Sequence, residues 1–319
     1  MDIFRHNADL QDFLKDKKQI GFVPTMGYLH GGHLSLIKKA IKGSDCVVVS
    51  TFVNPTQFND KSDFENYPRD ENRDLAMLES LKKIDAVFLP SMWEMYEEDN
   101  DNVDLIKKDE AMTFVIPENL ENCLCGRTRP GHFAGVVDVV TRLLRIINND
   151  KEEGKFDHVS KRKLPKVEMY LGEKDYQQMK ILTELAKTEF TNVTIIPCPI
   201  VRETDGLAMS SRNVLLKGKD RQIGTNLYKG LCLARDKFLK IDKKMIATKL
   251  GYLAEFLNQI QAKFKKDLKR FPHTKIDYIE ILDADDLREV SINSQKIIIA
   301  GAIFVGKVRL IDNIVMNIN

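Results

Sequence analysis

Two hydrophobic periods alternate through the first half of the chain. Short unbroken apolar runs rich in β-branched residues, "QIGFVP", "CVVVSTFVNP" and "AVFLP", end at proline or asparagine and read as strands buried on both faces. Between them lie "LSLIKKAIKG", with Leu34, Ile37 and Ile41 on one face, and "DLAMLESLKK", with Leu75 and Leu78. Spacings of three and four predict helices there. Strand and helix in alternation predict an α/β fold, a Rossmann-like, doubly wound parallel sheet that binds ligands outside the carboxyl ends of its strands. "FVPTMG" and "FVNPTQF" fall just past two such ends.

Residues 150–166, "DKEEGKFDHVSKRKLPK", break the pattern and read as a charged surface insertion. "EMYLGEKDYQQMKILTELAK" then predicts strand, turn and helix, and Pro197 and Pro199 mark a crossing between domains. The last third begins with a long amphipathic helical stretch, about 243–269, whose lysines fit a solvent face. Three strand candidates follow, "KIDYIEILDA", "KIIIAGAIFV" and "KVRLIDNIV". This order predicts a smaller α+β C-terminal domain. The expected division is 1–198 and 199–319, in keeping with roughly 150 residues per domain for a chain of 319.

Composition narrows the classes. With 49 basic and 47 acidic residues the net charge is +2, so nothing global draws the chain to nucleic acid or to an anionic membrane. The longest uncharged apolar run, Ile297 to Gly306, falls short of the ~18 residues that suggest a membrane span. Five cysteines, an odd number, and a first segment without a signal-like apolar core lead us to expect a reduced, cytoplasmic protein.

Chemistry concentrates in loops near strand ends. In "PTMGYLHGGHLSLI" (Pro24 to Ile37), glycines separate a strand from a helix, and His30 and His33 stand three residues apart. A helix N-terminus offers free N–H groups and a positive dipole end, and two imidazoles on one face add donors, which together suit phosphate. A helix cap plus a packed ring is the plainer alternative, and a zinc site wants a third ligand that nothing nearby supplies. Asn54 and Gln57 in "FVNPTQFN" are neutral donor–acceptor groups suited to a small polar substrate. Arg127 and Arg129 in "LCGRTRPGHF" suit an anion. Lys174, with Gly172, Asp175 and Gln178, sits in "LGEKDYQQ", and "AMSSRN" sets Ser210 and Ser211 beside Arg212. Lysine reaches phosphate as a point charge, and two hydroxyls beside a guanidinium make a polyphosphate cradle.

Taken in order, "PTMGYLHGGHLSLI", "VVVSTFVNPTQF", "NYPRD", "LCGRTRPGHF", "LGEKDYQQ", "DGLAMSSRN" and "RLIDN" resemble the motifs of the pantoate–β-alanine ligase family, over most of the chain. The resemblance implies a nucleotidyltransferase-type Rossmann domain, a C-terminal lid domain and a homodimer. It implies the joining of pantoate to β-alanine through a pantoyl adenylate, with AMP and pyrophosphate released, using ATP and Mg2+. On the same basis His30, His33, Lys174, Ser210, Ser211 and Arg212 hold the phosphates, and Met26, Gly172, Asp175 and Val201 contact the nucleotide. Pro24, Met26, Asn54, Gln57, Arg129, Val139, Val140 and Gln178 form the substrate pocket, and Asp74 is the candidate metal ligand. The chain departs from the family pattern at Arg73 (commonly acidic), at Cys125 (glutamate in some members) and in the insertion. Read from residues alone, another His-x-Gly-His nucleotidyltransferase, or a nucleotide-binding protein without turnover, stays open.

Overall fold

The computed structural model describes residues 1–97, 113–149, 164–240 and 255–317, apart from 257, 261, 264, 265, 268, 269, 272 and 292. Most of the 150–166 insertion and much of the 243–269 stretch therefore lie outside the described residues. The strands are β1 (Asp2–Phe4), β2 (Gln19–Thr25), β3 (Cys46–Thr51), β4 (Ala86–Phe88), β5 (Lys166–Gly172), β6 (Val193–Cys198), β7 (Thr274–Asp283), β8 (Lys296–Val305) and β9 (Val308–Asn317). The helices are α1 (Asn7–Leu14), α2 (Gly31–Gly43), α3 (Lys61–Glu65), α4 (Glu71–Glu79), α5 (Met92–Tyr96), α6 (Glu118–Glu121), α7 (Leu124–Thr128), α8 (His132–Asn148), α9 (Tyr176–Glu189), α10 (Lys219–Gly224) and α11 (Asn226–Phe238).

The chain forms two compact units. The first comprises Met1–Pro117, Arg129–Glu173 and Gln178–Pro199. Its six-stranded sheet runs β1-β4-β3-β2-β5-β6, every pair parallel. The run "CVVVST" makes β3 because β-branched side chains pack well on a pleated, doubly covered surface, and Cys46 to Ser50 are all buried. Leu36, Ile37 and Ala40 of α2 pack on Val23, Val47 and Val49 of the sheet. From β2 the chain winds outward through β3 and β4, then returns to β5 on the other side of β2. The topological switch therefore falls between β2 and β5, where such sheets open a crevice at their carboxyl ends. Those ends are Thr25 and Gly172.

The second unit comprises Glu118–Thr128, Lys174–Gln177 and Ile200–Asn319. Its sheet, β7-β8-β9, is antiparallel. The long apolar run noticed in the sequence is its middle strand, β8, buried along nearly its whole length. Leu227, Leu231, Ala234 and Phe238 of α11 cover it, and at Gly301 a Cβ would stand 3.1 Å from Leu227.

The main boundary falls between Pro199 and Ile200, and 118–128 and 174–177 group with the C-terminal strands. Hydrogen bonds between residues far apart in sequence hold these segments together. Gln177 donates to the carbonyls of Leu120 (2.6 Å) and Cys123 (2.9 Å) and accepts from the Cys125 N–H (2.9 Å). Arg309 bonds Asp277 at 2.6 Å and Thr128 at 3.3 Å, with the Cys125 thiol 3.5 Å away. Asn313 donates to the Lys174 carbonyl at 3.0 Å. The five cysteines form no disulfide, and Cys123 lies buried with its thiol pushed up to about 12 by desolvation.

Arg202 and Asp312 form a two-pronged ion pair (2.6 and 3.0 Å), with the guanidinium also over the Tyr228 ring. Asp312 is buried. Asp312→Ala strands a largely buried guanidinium, so we expect a loss of about 3 kcal/mol or more, read as a lower unfolding midpoint.

Candidate active site

His30 is the N-cap of α2. Its backbone is extended, and its Nδ1 accepts a hydrogen bond from the Gly32 N–H at 3.1 Å. A neutral imidazole that accepts at Nδ1 carries its proton on Nε2. Capping and anion binding are therefore one arrangement here: the cap sets the tautomer and leaves Nε2 as the donor. His33 lies one turn on, its ring stacked on that of His30 at 4.0 Å between centroids. Two imidazoles at a helix N-terminus present donors beside the free N–H groups of the first turn.

The loop entering α2 is sharply bent. Gly27 and Tyr28 both have positive φ, 76° and 48°. A Cβ on Gly27 would meet the Thr51 methyl at 2.7 Å and Asp74 at 3.2 Å, so glycine is required twice over. Tyr28 carries the cost of a left-handed backbone, about 1 kcal/mol. The successive N–H groups of Tyr28 and Leu29 converge on Asp74, at 2.6 and 2.7 Å to its two oxygens. Arg73 adds a hydrogen bond to the Leu29 carbonyl (2.9 Å), a contact with Asp74 (3.3 Å) and stacking over the Tyr28 ring (4.5 Å). Asp70 caps α4 by accepting from the Arg73 N–H.

Asp74, the expected metal ligand, is engaged within the protein. Both of its oxygens already accept N–H groups, a guanidinium sits beside it, and the side chain is buried. Burial pushes the carboxyl above its ordinary range, against the pull of the Leu29 and Tyr28 N–H groups and of Arg73. Among the described residues no group of three or more His, Cys, Asp or Glu is placed to hold a metal. Magnesium prefers carboxylates that are available to it, together with substrate phosphate, and Asp74 in this geometry does not fit.

Gln57 ends a short 3-10 turn, Pro55–Gln57, just past β3. Its Nε2 lies 2.7 Å from the Met26 sulfur, so two expected substrate residues meet. Asn54 is 1 % exposed, and its amide is engaged: Nδ2 donates to Gly135 O (3.0 Å) and Gln57 Oε1 (3.3 Å), while Oδ1 accepts from Tyr96 (2.8 Å) and Thr56. Arg129 likewise turns inward, bonding the Gln57 carbonyl at 3.1 Å. The same carbonyl accepts from His132 Nδ1 at 2.7 Å, and His132 Nε2 faces Arg129 at 3.1 Å. A guanidinium can only donate, so this histidine accepts at Nε2 and donates at Nδ1.

Sequence reasoning missed His132, Gly135 and Tyr96 as supports of Gln57. A Cβ on Gly135 would stand 2.5 Å from the Thr56 carbonyl, so α8 reaches this turn only with glycine there. The "PGHFAG" run held the signal: a histidine and a second glycine opening a helix. Val139 and Val140 follow on α8, both buried. Pro24 lies near the end of β2, paired in register with Ser50. Gln178 is half-buried on α9, beside the structurally engaged Gln177. Gly172 is not needed for its turn, since its φ is not positive and a Cβ would meet nothing within 4 Å. Met26, Gly27 and Tyr28 also line a cavity of about 470 Å³, together with Thr51, Asp74 and Arg69.

The second unit carries the other candidates. Lys174 is largely buried, 3.5 Å from the exposed Asp175 carboxylate. Ser210 caps the 3-10 turn Ser211–Leu215 by accepting from the Arg212 N–H. Ser211 is buried, and the Val201 carbonyl accepts from the Met209 N–H.

A parallel sheet with a histidine-capped helix at its switch point and a glutamine–methionine contact at the neighbouring strand end is the arrangement of an α/β protein that binds small molecules at strand carboxyl ends. A family model, pantoate-beta-alanine ligase, matches residues 2–315. Pantothenate synthetase of Thermotoga neapolitana is 42% identical over 306 residues, covering 96% of this chain and 95% of that protein. The Fervidobacterium nodosum enzyme of the same name is 43% identical over 300 residues, covering 94% and 92%. Pantothenate synthetase from Thermus thermophilus superposes with a TM-score of 0.76 at 31% identity, covering 98% and 99% of the two chains. Pantoate-beta-alanine ligase from Francisella tularensis, complexed with beta-gamma ATP and beta-alanine, gives 0.68 at 34% identity, covering 98% and 97%. The chain belongs to the pantoate–β-alanine ligase family. It is an ATP-dependent ligase that joins pantoate to β-alanine.

Proposed function

We propose that the reaction runs in two steps through a pantoyl adenylate. A pantoate carboxylate oxygen attacks the α-phosphorus of ATP and pyrophosphate leaves. The free amine of β-alanine then attacks the acyl carbon, AMP leaves, and the amine gives up a proton to form the amide. Neither step needs a protein nucleophile, because the substrates supply both. The protein's tasks are to align the reactants and to stabilise charge growing on phosphate.

The observation that carries this reading is the capped pair His30–His33 at the start of α2. His30 Nε2, His33 and the first-turn N–H groups are the donors we assign to the triphosphate. On the resemblance of their motifs we assign Lys174, Ser210, Ser211 and Arg212 to the remaining phosphate oxygens, and Gly172, Asp175 and Val201 to the nucleoside. Gln57, with Gln178, binds pantoate's hydroxyls and carboxylate. Met26, Pro24, Val139 and Val140 wall its apolar part. Asn54, Arg129 and His132 hold Gln57 in place. Magnesium enters as part of the MgATP substrate, and Asp74 does not hold it. We further assign the protein to the cytoplasm and expect it to act as a homodimer.

Pantoate carrying heavy oxygen in its carboxylate tests the adenylate. One labelled oxygen should appear in AMP and one stay in the amide carbonyl; label in inorganic phosphate or pyrophosphate would refute it. Gln57→Ala should raise the KM for pantoate about tenfold or more, the scale of one lost hydrogen bond to a charged group, and leave that for ATP near normal. Equal rises in both would argue against a pantoate contact.

A further inference from the structure

We propose that Arg73 and Asp74 are positioning residues for the phosphate-binding histidines: together they clamp the Tyr28–Leu29 turn and so set where α2 begins. The proposal rests on the assignment of His30 and His33 to phosphate. Consecutive backbone N–H groups pointing the same way form a concavity that ordinarily attracts an anion. Here the concavity is filled by the protein's own carboxylate, with one N–H on each oxygen of Asp74. Arg73 closes the same turn from outside through the Leu29 carbonyl and the Tyr28 ring. Two neighbours on one helix thus hold two backbone N–H groups, a carbonyl and a ring in a segment more than forty residues away, immediately before His30.

The arrangement accounts for two features otherwise unexplained. Tyr28, a bulky residue, tolerates a positive φ because both of its flanking peptide groups and its ring are tied down. Arginine suits position 73 because a planar fork can bond a carbonyl, touch a carboxylate and stack at once, which lysine cannot do. With the turn held, the His30 cap and the His33 ring above it stand ready before ATP arrives. Loss of that readiness lowers the rate of the phosphate step more than it weakens binding.

The test uses Asp74→Asn, Arg73→Lys and, as a reference, His33→Ala in the full-length protein. Pantoate-dependent exchange of labelled pyrophosphate into ATP is measured against ATP, pantoate and Mg2+ concentration, with a thermal melt for folding. The clamp predicts a maximal exchange rate at least about tenfold lower in Asp74→Asn and in Arg73→Lys. It predicts KM values for both substrates and a half-saturating Mg2+ concentration within about twofold of the parent, on the same ground that binding is spared. An unchanged rate in folded Asp74→Asn or Arg73→Lys would overturn the proposal. So would a half-saturating Mg2+ raised about tenfold in Asp74→Asn, the mark of a lost metal ligand. Should Asp74→Asn not fold, Arg73→Lys decides by the same criteria. A normal rate in His33→Ala would refute the histidine assignment itself, and is thereby told apart from failure of the clamp.

Discussion

His33→Ala should lower the rate of pyrophosphate release with ATP and pantoate by at least ~100-fold, the scale of losing one preorganised donor at developing charge. The loss is expected in kcat. A donor aimed where charge appears contributes little to the ground state and most to the transition state. Deleting the ring also takes away the partner stacked on His30 at 4.0 Å, so the capping histidine loses its lateral support. His33→Gln, which keeps a donor but not the stacked ring, should recover part of the rate. Single-turnover quench of the adenylating step measures both variants, and a near-normal rate in His33→Ala would refute the role.

The second large effect is expected at Gly135. Alanine there places a Cβ 2.5 Å from the Thr56 carbonyl and 2.8 Å from the Gln57 N–H, both backbone atoms that no side-chain rotation can move aside. Either α8 or the Pro55–Gln57 turn must shift. Overpacking of this kind typically costs about 1–3 kcal/mol. The same shift would lengthen the hydrogen bond from Asn54 Nδ2 to the carbonyl of residue 135, one of the two that this amide makes. Gly135→Ala should therefore lower the melting temperature and raise the pantoate KM, leaving the ATP KM little changed. A melting temperature equal to the parent's would show that the turn yields easily and that the close approach has no functional weight.

The strands of the parallel sheet were legible because their signal is local. "CVVVST" and "QIGFVP" are apolar throughout, which only a doubly covered strand tolerates, and both became central strands. The helix start at His30 was legible for the same reason, since a cap involves residues two apart. What could not be read locally was which polar groups are spent on the protein itself. Asn54 and Gln57 look alike in sequence, yet Asn54 is saturated by Tyr96, Thr56 and Gly135. Gln177 and Gln178 are adjacent, yet only Gln177 carries the bonds that draw 118–128 into the second unit. Asp74 carries the same ambiguity: nothing local announces that its two oxygens accept the Tyr28 and Leu29 N–H groups. The roles of Gly135 and Gly27 follow from backbone approaches between distant segments, which no periodicity announces.

The central claim is that pantoate is activated by ATP before β-alanine takes part. Pantoate-dependent exchange of labelled pyrophosphate into ATP, run with no β-alanine present, tests it most directly. The account predicts rapid exchange with pantoate and ATP alone, and none when pantoate is left out. Exchange that appears only once β-alanine is added would contradict a free-standing adenylation step.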